Sequence, residues 1–127
     1  MNQQIEEMLT ALRTFDLPVF EDDLAEDEEE QFKKDGHHFF VYETGDIVRN
    51  DDRKSLEQEI VVFYYSENRD DLDERTVDII TTLPSTKLFR LERTQKQRLR
   101  RKDTDDYVDR ILFFYSRTIV IPGCVFV

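Results

Sequence analysis

The sequence contains few of the residues that build several common functional sites. Its single cysteine, Cys124, excludes an internal disulfide bond and suits a reducing compartment. Only three glycines occur in 127 residues, and no glycine-rich phosphate-binding loop is present. Cysteines and histidines at the spacing of a structural zinc site are also missing. These absences argue against several classes of nucleotide-binding and zinc-binding proteins.

Long apolar stretches are missing as well. The longest apolar runs have about six residues, whereas a helix that crosses a membrane needs roughly twenty. The opening residues 1–7 are polar and acidic, unlike a secretory leader. We therefore expect a soluble, intracellular protein that does not associate with membranes.

Basic residues are outnumbered by acidic ones, 18 against 29, and the formal net charge is −11. Such a surface repels phosphates and anionic lipids, so general binding to nucleic acids or membranes is disfavoured. The aromatic content of 12% argues against wholesale disorder. A hydrophobic content of 39% is sufficient for one core, which predicts a single domain over 1–127.

Two segments have apolar residues at helical spacing. In the first, which precedes Pro18, these are Ile5, Met8, Leu9 and Leu12. The second segment begins after Asp70 and Asp71, whose charge suits a helix N-terminus, and ends before Pro84. Its predicted apolar stripe consists of Leu72, Thr76, Val77, Ile80 and Leu83.

Four further segments predict strands, at 38–42, 58–65, 87–94 and 108–120. The order of elements favours an α+β fold, with a small antiparallel (mixed) β-sheet of about four strands and two helices packed on one face. Segments 58–65 and 108–120 are apolar on both alternating faces. Because the helices of so small a domain cover only one face, we expect a partner subunit on the other.

Two charge blocks predict mobile loops near 21–36 and 95–106. Eight of the ten residues at 21–30 are acidic, and five of the seven residues at 96–102 are basic. The blocks either complement each other, within a chain or between subunits, or form solvated surfaces. The apolar C-terminal segment 121–127 predicts docking. The candidate partner-binding residues are Glu28, Glu29, Glu30, Arg98, Arg100, Arg101, Val125 and Phe126.

Residues that could carry catalysis or hold a metal are present but poorly arranged. His37 and His38 are adjacent, so on a strand they point to opposite faces and cannot easily hold one ion. The aspartate clusters at 51–52, 70–73 and 103–106 lack calcium-loop spacing and suit helix starts or solvated turns. The apolar surroundings of Cys124 predict an inert thiol. We predict a protein that is not an enzyme and has no cofactor, with a divalent-metal enzyme as an alternative.

The order of features resembles a known family. A helix ends in Leu17-Pro18-Val19-Phe20 and is followed by the strands 39–42 and 60–65, a helix after Asp70-Asp71-Leu72, and the closing strand 107–114. This pattern is similar to the tail-completion proteins of long-tailed bacteriophages, also called tail terminators or tail-to-head joining proteins. The resemblance covers most of the chain but includes no diagnostic motif and no catalytic residue.

The resemblance implies a structural virion protein that caps the phage tail tube and joins it to the head connector. The expected partners are the tail-tube protein, the connector (stopper) protein and further copies of the chain in a hexameric ring, assembled from subunits that are either monomeric or oligomeric when free. Its location would be the head-tail interface of the virion, and the host cytoplasm during assembly. DNA would pass an acidic lumen without specific binding. The main alternative is an acidic DNA mimic or inhibitor that binds a basic partner.

Overall fold

The computed structural model describes residues 3–21, 38–51, 54–67, 70–100 and 107–120. This part of the chain forms two helices and five strands. In chain order they are α1 (Gln3–Arg13), β1 (Val19–Glu21), β2 (Phe39–Arg49), β3 (Ser55–Glu67), α2 (Leu72–Thr82), β4 (Phe89–Arg100) and β5 (Tyr107–Val120).

The five strands form one mixed sheet in the order β1-β2-β3-β5-β4. β1 runs parallel to β2, and every other neighbouring pair is antiparallel. The α+β fold predicted from the sequence is therefore confirmed, with one more strand than expected. The additional strand is the short β1, which begins directly after Pro18 and pairs with the first half of β2.

The core lies between the two helices and one face of the sheet. α1 contributes Met8, Leu9 and Leu12, which recur at the spacing of one helix face. α2 contributes Leu72 and Ile79, and Leu83 follows directly after it. The sheet residues in this core are Phe40, Tyr42, Ile60, Val62, Tyr64, Phe89, Ile111, Phe113 and Tyr115.

The predicted stripe of α2 is wrong at one position. Val77 is 58% exposed, whereas Ile79, which the prediction omitted, is fully buried. Val77 and Ile79 are two positions apart and therefore point in directions about 200° apart around the helix. The rotation of α2 about its axis decides which of them enters the core.

A side-chain amide ties α1 to the sheet. The Nε2 group of Gln4 donates hydrogen bonds to the backbone oxygens of Leu88 and Thr118, each at 3.1 Å. These acceptors lie before β4 and near the end of β5. The N-terminal turn of α1 is thereby fixed at the edge of the sheet that carries β4.

Two predicted strands end much later in the structure. The strand predicted to end at Tyr42 continues to Arg49, with an irregularity in its pairing between Thr44 and Ile47. β4 continues to Arg100 because its backbone pairs with β5 whatever the charge of its side chains. The first part of the loop predicted at 95–106 is therefore strand. Residues 101–106 and 22–36 lie outside the described residues.

Candidate functional site: the outer face of the sheet

The sheet face opposite the helices, here called the outer face, is unusually apolar and aromatic. In antiparallel pairs, directly opposed residues point to the same face, so the strand register defines its rows. No helix or strand in the described part of the chain packs on this face. Its apolar residues are Phe20, Phe39, Val41, Val61, Phe63, Tyr65, Leu112 and Phe114.

An aromatic cluster occupies one end of the outer face. Phe39 and Tyr65 are cross-strand neighbours whose rings stack with centroids 4.6 Å apart. Phe63 stacks beyond Tyr65, and Phe20 meets Phe39 edge to face at 6.3 Å. Phe39 is buried, whereas Phe20, Phe63 and Tyr65 remain half-buried. Part of the aromatic surface of the cluster is therefore accessible.

Two guanidinium groups lie on these aromatic residues. The Cζ atom of Arg110 is 5.9 Å from the ring centroids of both Phe63 and Tyr65, and its Nε donates to Gln97 Oε1 at 2.8 Å. Arg93 stacks closer, with its Cζ atom 3.8 Å from the centroid of Phe114. Such stacking is favourable because the ring face is electron-rich. It also holds the two charges at defined positions on the outer face.

Arg93 and Arg110 differ from other cations of the sheet in their partners. Within the described ranges, neither pairs with a carboxylate, and their hydrogen bonds go to neutral oxygens of Gln95, Gln97 and Tyr65. Three other cations of β4 do contact acids. These ion pairs are Arg90–Glu57 at 2.5 Å, Lys96–Asp73 at 2.5 Å and Arg98–Asp109 at 2.9 Å.

An acidic groove lies beside Arg93, at the other end of the outer face. It has a volume of about 380 Å³, and its acidic lining residues are Asp46, Glu57, Glu59 and Glu92. Burial alone would raise the pKa of Glu57, but hydrogen bonds from Ser116, Asn50, Thr118 and Arg90 outweigh it and lower the pKa below its usual value. Glu57 is therefore a carboxylate held by its neighbours, while Asp46 and Glu59 are exposed.

Most of the predicted partner-binding residues fall outside the described residues: Glu28, Glu29, Glu30, Arg101, Val125 and Phe126. Arg100 belongs to β4, but its side chain is likewise outside the described part. Arg98 is described, and its Nε donates to the buried carboxylate of Asp109 on the helix side of the sheet. Partner binding by Arg98 stays a prediction, and the structure adds an ion pair within the sheet.

The sequence prediction of an apolar second face did not identify Arg93, Arg110 or the aromatic cluster as a site. One signal was available, because Arg110 is a charged residue between the apolar Val108 and Leu112 at alternate positions of β5. Its neighbours on the face could not be assigned without the register of β3, β4 and β5. The bulge between Leu91 and Arg93 also changes which β4 residues face outward.

Within the described ranges, no group of three or more histidine, cysteine or carboxylate side chains could hold a metal ion. Neither described helix combines the length and apolar composition needed to cross a membrane.

No protein-family model matches the sequence, and no curated protein sequence matches it significantly. A functional assignment therefore depends on the geometry of the outer face. Aromatic residues and arginines are enriched in the centres of protein–protein interfaces, where large surfaces and multidentate hydrogen bonding contribute most of the affinity. The outer face has this composition.

Proposed function

We propose that the protein is a structural subunit of a phage tail, which caps the tail tube and joins it to the head connector as part of a ring. The outer face carries this proposal, because it combines half-buried aromatic side chains with stacked arginines on a surface that no described element covers. A subunit that contacts its neighbours through its sheet would bury such a face. The resemblance to tail-completion proteins is the basis for naming the phage tail as the assembly.

The charge of the chain supports the same proposal. A net charge of −11 disfavours binding to DNA phosphates, which is the property required of a joint through which the genome passes. The acidic residues Asp46 and Glu59 lie exposed beside the groove, so part of this charge is on the surface.

Electron microscopy of phage lysates tests the proposal. A phage that lacks the gene should produce filled heads alongside separate tails that are overlong or unjoined, because the tube has no cap and the head has no joint. Supplying the wild-type gene from a plasmid should restore joined particles. Normal joined virions in the absence of the gene would contradict the proposal.

A second candidate function is an acidic mimic of nucleic acid, which the groove lined by Asp46, Glu57, Glu59 and Glu92 favours. Its carboxylates would replace phosphates on a basic partner. Glu57 is already occupied by neighbouring donors, which leaves fewer acids for this role. This function predicts that the purified protein displaces duplex DNA from a basic partner in a salt-sensitive manner, and that Asp46→Asn/Glu59→Gln loses this ability.

A further inference from the structure

The side chains of the outer face lie in rows that the strand register defines. Each row contains one residue from β2, β3, β5 and β4, because directly opposed residues of antiparallel strands point to the same face. Three consecutive rows are regular across all four strands. The first row is Phe39, Tyr65, Arg110 and Gln97, the second is Val41, Phe63, Leu112 and Gln95, and the third is Glu43, Val61, Phe114 and Arg93.

The third row has opposite charges at its two ends. Glu43 lies at the β2 end and Arg93 at the β4 end, with the apolar Val61 and Phe114 between them. Within the described ranges, neither charged side chain forms an ion pair with its own chain. The guanidinium group of Arg93 lies on the ring of Phe114, so the donors at its edge can still bond a carboxylate.

This order of charges makes the row complementary to itself. A two-fold axis parallel to the strands, between β3 and β5, places β2 of one copy over β4 of a second copy, and β3 over β5. Arg93 of each copy then faces Glu43 of the other, and Val61 faces Phe114. A two-fold axis across the strands would instead place each strand over its own copy and would separate the two charges.

We propose that the outer face binds the outer face of a second copy of this chain about this axis, in a dimer held by two Arg93–Glu43 ion pairs. Sheets that pack face to face are about 10 Å apart, a gap that facing arginine and glutamate side chains can bridge. In the second row, Phe63 of one copy faces Leu112 of the other. In the first row, Arg110 faces the ring of Tyr65, so the three rows place no like charges directly opposite each other.

The size of the three rows predicts a weak dimer. They span about 19 Å across the strands and about 20 Å along them, or roughly 400 Å² of flat area per copy. Twice this area lies in the range of weak, transient interfaces. The net charge of −11 on each copy also opposes association, although salt screens this repulsion. We therefore expect a dimer from which another protein can displace one copy.

The dimer goes beyond the tail function and does not require it. Each copy uses the same patch, so the contact is closed after two copies and cannot by itself generate a ring. In a tail protein, the dimer would be the free form of the subunit. Binding at the tail would then replace the second copy on the outer face.

Sedimentation equilibrium of two charge-reversed variants at about 0.15 M salt tests the inference. The dimer of Glu43→Arg would place arginines opposite each other, and the dimer of Arg93→Glu would do the same with glutamates. Each variant alone should therefore associate at least about tenfold more weakly than the wild type. An equimolar mixture of the two should dimerise as the wild type does, because both ion pairs are restored between unlike copies. The double variant Glu43→Arg/Arg93→Glu should also recover the dimer.

Matched reversals on the helix side separate this result from general effects of charge. Glu74→Arg on α2 and Arg13→Glu on α1 change the net charge by the same amounts at exposed positions. Neither should weaken the dimer as the corresponding reversal on the outer face does. Urea midpoints of all variants show whether they are folded.

Three results would overturn the inference. The first is a wild-type chain that remains monomeric up to about 1 mM. The second is a dimer that both outer-face reversals leave unchanged. The third is the formation of species larger than a dimer in the mixture, since only a head-to-tail contact continues beyond two copies.

The dimer and the tail function fail in different experiments. Unjoined tails in lysates lacking the gene, together with a monomeric wild-type protein, would reject the dimer alone. A dimer restored in the mixture, together with normal virions in the absence of the gene, would reject the tail function alone.

Discussion

At the scale of single residues, two buried tyrosines have hydroxyl groups that form no hydrogen bond within the described part of the chain. Tyr64 and Tyr115 are almost completely buried in the core beneath the helices, and neither hydroxyl has a partner among the described residues. Burial also raises the pKa of Tyr115 well above its usual value, because the charged form would lose its hydration. A buried donor without an acceptor costs free energy that a phenylalanine would not.

We expect Tyr115→Phe to raise the free energy of unfolding by about 1 kcal/mol, since it removes the unpaired hydroxyl and keeps the ring that stacks on Phe89. Urea unfolding measures this change. Tyr65→Phe is the control, because its hydroxyl accepts a hydrogen bond from Arg110 and its removal should bring no gain. A loss of about 1 kcal/mol or more in Tyr115→Phe would mean that the hydroxyl has a partner.

Glu57 couples the stability of the fold to pH. Burial raises its pKa, but the hydrogen bonds outweigh this and hold the pKa below the ordinary value of 4.5. A group whose pKa is lowered by folding stabilises the protein at a pH above 4.5, and this contribution is lost as the pH falls through the lower folded value. Glu57→Gln should therefore lower the urea midpoint at neutral pH and weaken its fall in acid.

The comparison for Glu57→Gln is Glu59→Gln, an exposed residue two positions away on the same strand. Urea midpoints measured across the acidic range for both variants and the wild type give the difference. If Glu57→Gln keeps the full acid dependence of the wild type, other carboxylates are responsible.

At the scale of elements, α2 shows how packing selects the buried face of a helix. The apolar spacing was compatible with either Val77 or Ile79 in the core, since both belong to an amphipathic pattern. The structure buries Ile79 completely and exposes 58% of Val77. The spacing of apolar residues along the chain predicts that a helix forms. It predicts less well which side of that helix faces the core.

Truncating these two residues should have very different effects. We expect Ile79→Ala to lower the free energy of unfolding by about 3 kcal/mol, because it leaves a cavity beneath the helix. Val77→Ala should change it by less than about 0.5 kcal/mol, as is usual for an exposed position. Chemical denaturation of both variants measures the difference, and equal losses would mean that α2 is rotated relative to the sheet.

At the scale of the whole molecule, the two faces of β3 lie in different surroundings. Val62 points into the core and is fully buried, whereas Phe63, the next residue, lies half-buried on the outer face. The helices already cover the first face. No described helix covers the second face, where Phe63 and Tyr65 remain half-buried.

We expect Val62→Lys to prevent folding, because it buries a charge without a partner. Phe63→Lys should fold with a loss of about 1–2 kcal/mol but should fail to restore head–tail joining in the complementation assay. Circular dichroism and electron microscopy measure the two effects. Joining by Phe63→Lys at the wild-type level would remove the outer face from the proposed assembly.

Much of the architecture follows from the order of residues alone. Local patterns determine the two helices, the long strands and their arrangement as an α+β fold, because apolar periodicity depends only on neighbours along the chain. The apolar character of both faces of 58–65 and 108–120 also predicted a second surface to be covered.

The register of the strands was decided only in the tertiary structure. A shift of one residue, or a bulge such as those in β2 and β4, changes which side chains share a face. Arg93 and Arg110 therefore meet aromatic rings that are distant in sequence, through pairings the chain order does not reveal. The scarcity of cysteine and glycine and the shortness of the apolar runs can be read from the sequence alone, whereas the folded sheet determined which side chains share a surface.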